Sequence, residues 1–97
     1  MDAIKFNWDA RKAQQNIKKH KVSFEEATTV FYDENATEFF DPGHSKDEDR
    51  FLMLGMSWRL RILVVSYCVR KKGAAIRIIS ARKAAKSEER AYTGERR

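Results

Sequence analysis

Residues 50–81 read RFLMLGMSWRLRILVVSYCVRKKGAAIRIISA. Apolar and β-branched residues fill runs of strand length, and glycine or charged residues break them. The stretch predicts three strands, Arg50–Ser57, Leu60–Val69 and Ala75–Ala81, with a turn at Arg70-Lys71-Lys72-Gly73. The middle run, LRILVVSYCV, is nearly continuous apolar sequence and suits a central strand. Gly55 inside the first strand signals a bulge or a close backbone approach. Connections this short imply that the strands pair antiparallel.

Upstream, Ala36–Phe40 predicts a further strand, closed by the turn residues Asp41-Pro42-Gly43, with His44–Asp49 a charged loop. Ser23-Phe24-Glu25-Glu26 is a capping box that opens a helix to about Phe31 and buries Phe24, Ala27 and Phe31. Asp9 is the N-cap of a helix from Ala10 to about Lys19. Ala10, Ala13 and Ile17 face inward there, while Arg11, Lys12, Gln15, Lys18 and Lys19 take the wet side. Lys5–Trp8 is a short opening strand. Ala84–Tyr92 is a closing helix, and residues 93–97 fray. Phe51, Met53, Met56 and Cys68 belong to the core. The order β-α-α-β-β-β-β-α predicts one α+β domain over residues 1–97, an antiparallel sheet with helices packed on one face.

Charge is distributed unevenly. Residues 1–57 hold eight Lys/Arg against eleven Asp/Glu, whereas residues 58–97 hold twelve against three. A basic half favours a polyanion, because each neutralised phosphate releases condensed counterions. A single cysteine, Cys68, excludes an internal disulfide and fits a reducing compartment. Met1–Phe6 carries no apolar run of signal length, and Ile62–Val65, the longest apolar stretch, is far too short to span a bilayer. A cytoplasmic protein with no membrane association is the expectation.

Several chemistries are excluded. No glycine-rich phosphate loop is present, so nucleotide hydrolysis is not expected. His20 and His44 are isolated, Asp47-Glu48-Asp49 reads as solvated charge, and neither a metal nor a cofactor is expected. Arg, Lys, His, Tyr and Glu remain, the toolkit of a ribonuclease that works without metal. RNA brings its own nucleophile, the ribose 2′-OH. The protein must take that proton, protonate the departing 5′ oxygen and stabilise the phosphoryl oxygens.

Six stretches of residues then carry a resemblance. Phe6-Asn7-Trp8-Asp9, the run Asn16-Ile17-Lys18-Lys19-His20-Lys21-Val22-Ser23-Phe24-Glu25-Glu26-Ala27 and the run Ile76-Arg77-Ile78-Ile79-Ser80-Ala81-Arg82-Lys83-Ala84 closely resemble the BrnT toxins. Glu48-Asp49-Arg50-Phe51, Gly55-Met56-Ser57 and Glu89-Arg90-Ala91-Tyr92 do so as well, in the same order along the chain. The resemblance implies a RelE-like fold and a type II toxin that cleaves RNA without metal and inhibits translation, on free or ribosome-bound messenger. It also implies neutralisation by a BrnA-like ribbon-helix-helix antitoxin, with DNA contacted only through that antitoxin. One position departs: the family usually has glycine after its Lys-His pair, and here stands Lys21.

The catalytic candidates are Arg77, Arg82, His20, Lys19, Tyr92 and Arg50. Arg77 interrupts an apolar strand, where a charge needs a purpose beyond packing, and a guanidinium fork matches phosphate oxygens. His20 is the proton-transfer candidate because an imidazole ordinarily titrates near neutral pH. Lys19 is an electrostatic partner of phosphate, and Tyr92 can stack on a base. Arg77 and Arg82, five positions apart, share a site only if the strand ends or bulges near Ser80. In a regular strand Lys83 has the parity of Arg77 instead. Lys83, Trp58, Arg59, Arg61 and Tyr67 are the candidates for RNA binding. The rival readings are a non-catalytic RNA- or ribosome-binding module using the same basic patch, and a pure interaction protein.

Overall fold

The computed structural model describes residues 4–44, 48–70 and 75–94. Most of the turn expected at 70–73, part of the loop at 44–49 and the end of the tail lie outside the described residues. The elements are β1 (Lys5–Asn7), α1 (Ala10–His20), α2 (Phe24–Thr29), β2 (Thr37–Phe40), β3 (Arg50–Met56), β4 (Ile62–Arg70), β5 (Ala75–Lys83) and α3 (Lys86–Thr93). The expected caps are present: the side chains of Asp9 and Ser23 accept from the backbone N–H of Lys12 and Glu26, each at 3.0 Å. A 3₁₀ turn, Val30–Tyr32, continues α2, so the helical path reaches the expected end in a tighter form.

The strands form one sheet in the order β1-β5-β4-β3-β2, with β4 central. The antiparallel expectation holds for β2–β3, β3–β4 and β4–β5, but β1 pairs parallel with β5, so the sheet is mixed. Short hairpins force antiparallel neighbours. β1 meets β5 from across the whole chain, so no hairpin dictates its direction. α1 and α2 cover the face that carries Leu63, Val65, Ile78 and Ala81, and Val22, Phe24, Ala27 and Val30 complete that core at 0% exposure.

α3 departs from the expectation of helices on one face. Ser87, Glu88 and Ala91 line a cleft with Phe39, Leu52, Leu54 and Val64, side chains of the opposite sheet face. α3 buries no residue of its own.

The inward face of α1 also differs from the expected one. Ala13 and Asn16 are its buried residues, while Ile17 is 46% exposed. An apolar-periodicity rule cannot select an asparagine, which is stable inside only when its amide is fully partnered.

Gly55 marks a close approach, as its place in a strand suggested. A Cβ there would stand 2.8 Å from Val30 Cγ1 and 2.9 Å from Ala36 Cβ. Gly55→Ala is expected to lower stability by about 1–3 kcal/mol, read from the urea unfolding midpoint, because the methyl overpacks the contact of β3 with the 3₁₀ turn and Ala36.

Candidate active site

The register of β5 against β4 organises the site. Arg77 lies opposite Cys68 and Ile78 opposite Tyr67, but Ser66 then faces Ser80, so Ile79 is an extra residue, a β-bulge. The bulge changes parity. Arg77 and Arg82, the latter opposite Val64, consequently lie on one face of the sheet. Lys83 is moved the other way: it faces Leu63 of the α1–α2 core, so its expected parity with Arg77 does not hold. Arg50 also lies opposite Cys68, so Arg50 and Arg77 flank one position of β4, their Cα atoms about 10 Å apart, two strand spacings.

Arg77 donates to Asn7 Oδ1 at 3.2 Å and forms no ion pair among the described residues. Arg82 forms a forked pair with Glu88, each N–H to oxygen distance 2.9 Å, and its side chain stays 43% exposed. Glu88 Oε1 also accepts the Ala85 N–H at 2.7 Å, so one carboxylate closes the first turn of α3 and orients Arg82. The Arg82 bond foremost, opposed by burial and helped by the Ala85 N–H, holds the Glu88 carboxyl down at about 2.

Past Asn7, β1 no longer covers β5, and α1 takes its place. Asn16 acts there as a surrogate strand. Its amide donates to the carbonyls of Ala81 at 2.8 Å and Val22 at 2.9 Å, and its oxygen accepts the Ala81 N–H at 3.2 Å. Between α1 and the bulge lies a cleft of about 240 Å³ lined by Lys12, Gln15, Asn16, Lys19, His20, Ile79 and Ser80. Lys19 and His20 thus meet β5 three residues from Arg77. Lys12 was assigned only to the wet face, and Asn16 had no assigned place in the interior. The recurrence of Lys12, Gln15 and Lys19 one and two turns apart was the available signal.

Other expected residues stand apart from this group. Tyr67 is 1% exposed, its ring 4.9 Å from Phe31 and 5.7 Å from Phe51, so it cannot stack on a base and is corrected to a core residue. Its hydroxyl donates to Glu38; burial, then that bond and charge, push it above the ordinary phenol range.

Arg61 is held by buried Glu26: its Nε donates to Oε2 at 3.0 Å, a second N–H bonds Oε1, and it also donates to the Lys21 carbonyl at 3.1 Å. Burial raises the Glu26 carboxyl, but hydrogen bonds from Arg61 and Ser57 with the nearby guanidinium charges bring it below its ordinary value.

Tyr92 donates to Asp33 Oδ2 at 2.6 Å, a bond that with burial and the Asp33 charge pushes the phenol up to about 12. That tie joins the Met56 end of the sheet, where Met56 N–H donates to the same oxygen at 2.7 Å. Met56 faces Ile62, whereas Arg77 faces Cys68, roughly 20 Å away along β4. Tyr92 therefore does not join Arg77. Trp58, 70% exposed, and Arg59, 3.9 Å from Glu26, project from the turn at that far end. Among the described residues no three His, Cys, Asp or Glu side chains converge on a point that could hold a metal, and no helix is long and apolar enough to cross a membrane. Asp47 lies outside the described residues.

The fold and the cleft define a small α+β protein that gathers cationic side chains along one strand and one helix, a class suited to phosphate-bearing ligands. The family described as ribonuclease toxin, BrnT, of type II toxin–antitoxin systems matches residues 8–88, and the chain belongs to it. Among solved structures it is similar to the Brucella abortus ribonuclease toxin BrnT, at 27% identity and a TM-score of 0.64, over 87% of this chain and 100% of that one. No curated protein matches it. Family membership makes this a ribonuclease toxin, with RNA as its substrate class and an antitoxin as its partner.

The Arg82–Glu88 pair sets a pH dependence. The folded value for Glu88 is depressed, so its contribution is fully present above the ordinary unfolded value, about 4.3, and is lost as pH falls toward about 2. Glu88→Gln is expected to lower Tm near neutral pH, with the gap to the parent closing between about pH 4 and pH 2; a gap independent of pH would contradict this.

Proposed function

We propose that the cleft between α1 and the β5 bulge holds the scissile phosphodiester of RNA and cleaves it without a metal ion. Arg77 stabilises the charge on the phosphoryl oxygens, since a guanidinium stays protonated and its fork fits two oxygens. His20 takes the proton of the ribose 2′-OH, whose oxygen attacks the adjacent phosphorus. The phosphorus–5′-oxygen bond breaks, leaving a 2′,3′-cyclic phosphate, and the departing oxygen takes a proton from the Lys19 ammonium. Lys12 holds the neighbouring phosphate. Arg82, oriented by Glu88, and Arg50, across Cys68 from Arg77, extend the cationic face to flanking nucleotides.

The observation that carries this reading is the bulge at Ile79, which puts Arg77 and Arg82 on one face of the sheet while Ile79 and Ser80 line a cleft walled by Lys12, Lys19 and His20. The proposal includes translation arrest in the cytoplasm and a BrnA-like ribbon-helix-helix antitoxin that takes the pair to DNA. Supporting it are the family match and the motif order.

Purified protein incubated with RNA in EDTA is expected to cut it and leave cyclic phosphate ends, and to spare DNA. Arg77→Ala is expected to slow cleavage by about 10²–10³-fold while leaving Tm nearly unchanged. Binding without cleavage in EDTA, or cleavage restored by added magnesium, would sink the metal-free mechanism.

A further inference from the structure

At the far end of the sheet an open pocket of about 450 Å³ is lined by Thr29, Tyr32, Asp33, Met56, Ser57 and Trp58. Two of these are large exposed aromatics, Tyr32 at 61% and Trp58 at 70%. Their exposure is built in. The Trp58 backbone N–H donates to Thr29 Oγ1 at 2.9 Å, and Ser57 Oγ donates to buried Glu26 at 2.6 Å. Leu60, two residues on, is held at φ 62°, a conformation a branched side chain rarely adopts. The surrounding contacts therefore impose this turn on the chain, and an apolar surface displayed on such a scaffold resembles a recognition surface.

Asp33 follows Tyr32 in sequence and lines the same pocket as both rings. It accepts hydrogen bonds from Tyr92 Oη at 2.6 Å, Met56 N at 2.7 Å and Asn35 N at 3.0 Å, which fix its carboxylate. Burial raises the Asp33 carboxyl, but those three bonds more than offset it and keep the group ionised at neutral pH. All its partners are neutral, and among the described residues it has no ion pair. An anion held rigidly in a pocket that also carries two exposed aromatic rings attracts a cation that is partly desolvated on arrival.

We propose that the Tyr32–Asp33–Trp58 pocket binds an arginine or lysine side chain of a partner protein. The cation rests against the rings and ends on the Asp33 carboxylate. The long methylene stem of such a residue covers Met56 and the ring edges. Nucleic acid is the poorer occupant, because the charged residue lining the pocket is Asp33, so a phosphate there would meet like charge. The pocket is separate from the Arg77 face and stands whether or not that face cuts RNA.

The probe is acetyl-arginine amide titrated into the ¹⁵N-labelled full chain, with the Trp58 indole N–H and the Asp33 and Met56 amides as reporters. Saturable shifts are expected at these positions, with the Trp8 indole unmoved as a check on folding. Asp33→Asn is expected to abolish the effect, and Tyr32→Ala or Trp58→Ala to weaken binding about 2- to 30-fold. Uncharged acetyl-norleucine amide is expected to shift nothing. Equal shifts from the norleucine probe, unchanged binding to Asp33→Asn, or the same resonances moved instead by a short uridine oligonucleotide would each overturn the proposal.

Discussion

One extra residue, Ile79, sets the relation between β5 and everything around it. A strand cannot place residues five apart on one face, so a regular β5 would divide Arg77 from Arg82. The insertion repairs that parity but interrupts the ladder, just where β1 ends and cannot help. Asn16 fills the gap. Its side-chain amide supplies the acceptor and donor that a neighbouring strand would give Ala81, and it also satisfies Val22, whose carbonyl lies in the turn after α1. Unmet, such buried groups cost about 1–3 kcal/mol each, more than a satisfied bond contributes. α1 is thereby locked to β5, and the cleft with Lys12, Lys19 and His20 lies along that contact.

A second polar node performs the same service at the other end. Glu26 is 3% exposed and accepts from Ser57 and twice from Arg61. Removing one partner of such a buried pair is costly, about 3–5 kcal/mol, because the remaining charge stays desolvated. The pair therefore fixes the β3–β4 turn against α2 and Lys21. Lys21 itself sits at φ 60°, the left-handed position closing α1, where glycine is ordinarily favoured. The strain expected there, about 1–2 kcal/mol, is met by the Ile17 carbonyl behind it and by Arg61 on its own carbonyl.

The arginines of the basic half are thus divided by task. Arg61 is structural, Arg82 is oriented by a carboxylate yet partly open, and Arg77 donates to the amide oxygen of Asn7. A neutral hydrogen-bond partner fixes direction without forming an ion pair. The same division separates the ends of the molecule. Cations line the β5–α1 edge, whereas the charged residue that lines the aromatic pocket is Asp33.

The number, type and near-boundaries of the strands and helices were legible in the sequence, because hydrophobic period, capping residues and turn residues are local signals. The Ser23 capping box, the close approach at Gly55 and the arginine interrupting β5 were readable for the same reason, as were the motifs that mark the family. Local signals do not reach across the sheet. Whether β1 runs parallel to β5, which face α3 covers, and that Tyr92 ends far from Arg77 follow from long-range pairing and packing. Asn16 looked like one more polar position on α1, and only its partners on β5 and at Val22 make it a core residue. A bulge inserts a residue without leaving a distinctive side chain, so the shared face of Arg77 and Arg82 could be stated from sequence only as a condition. The register between β4 and β5 settled it.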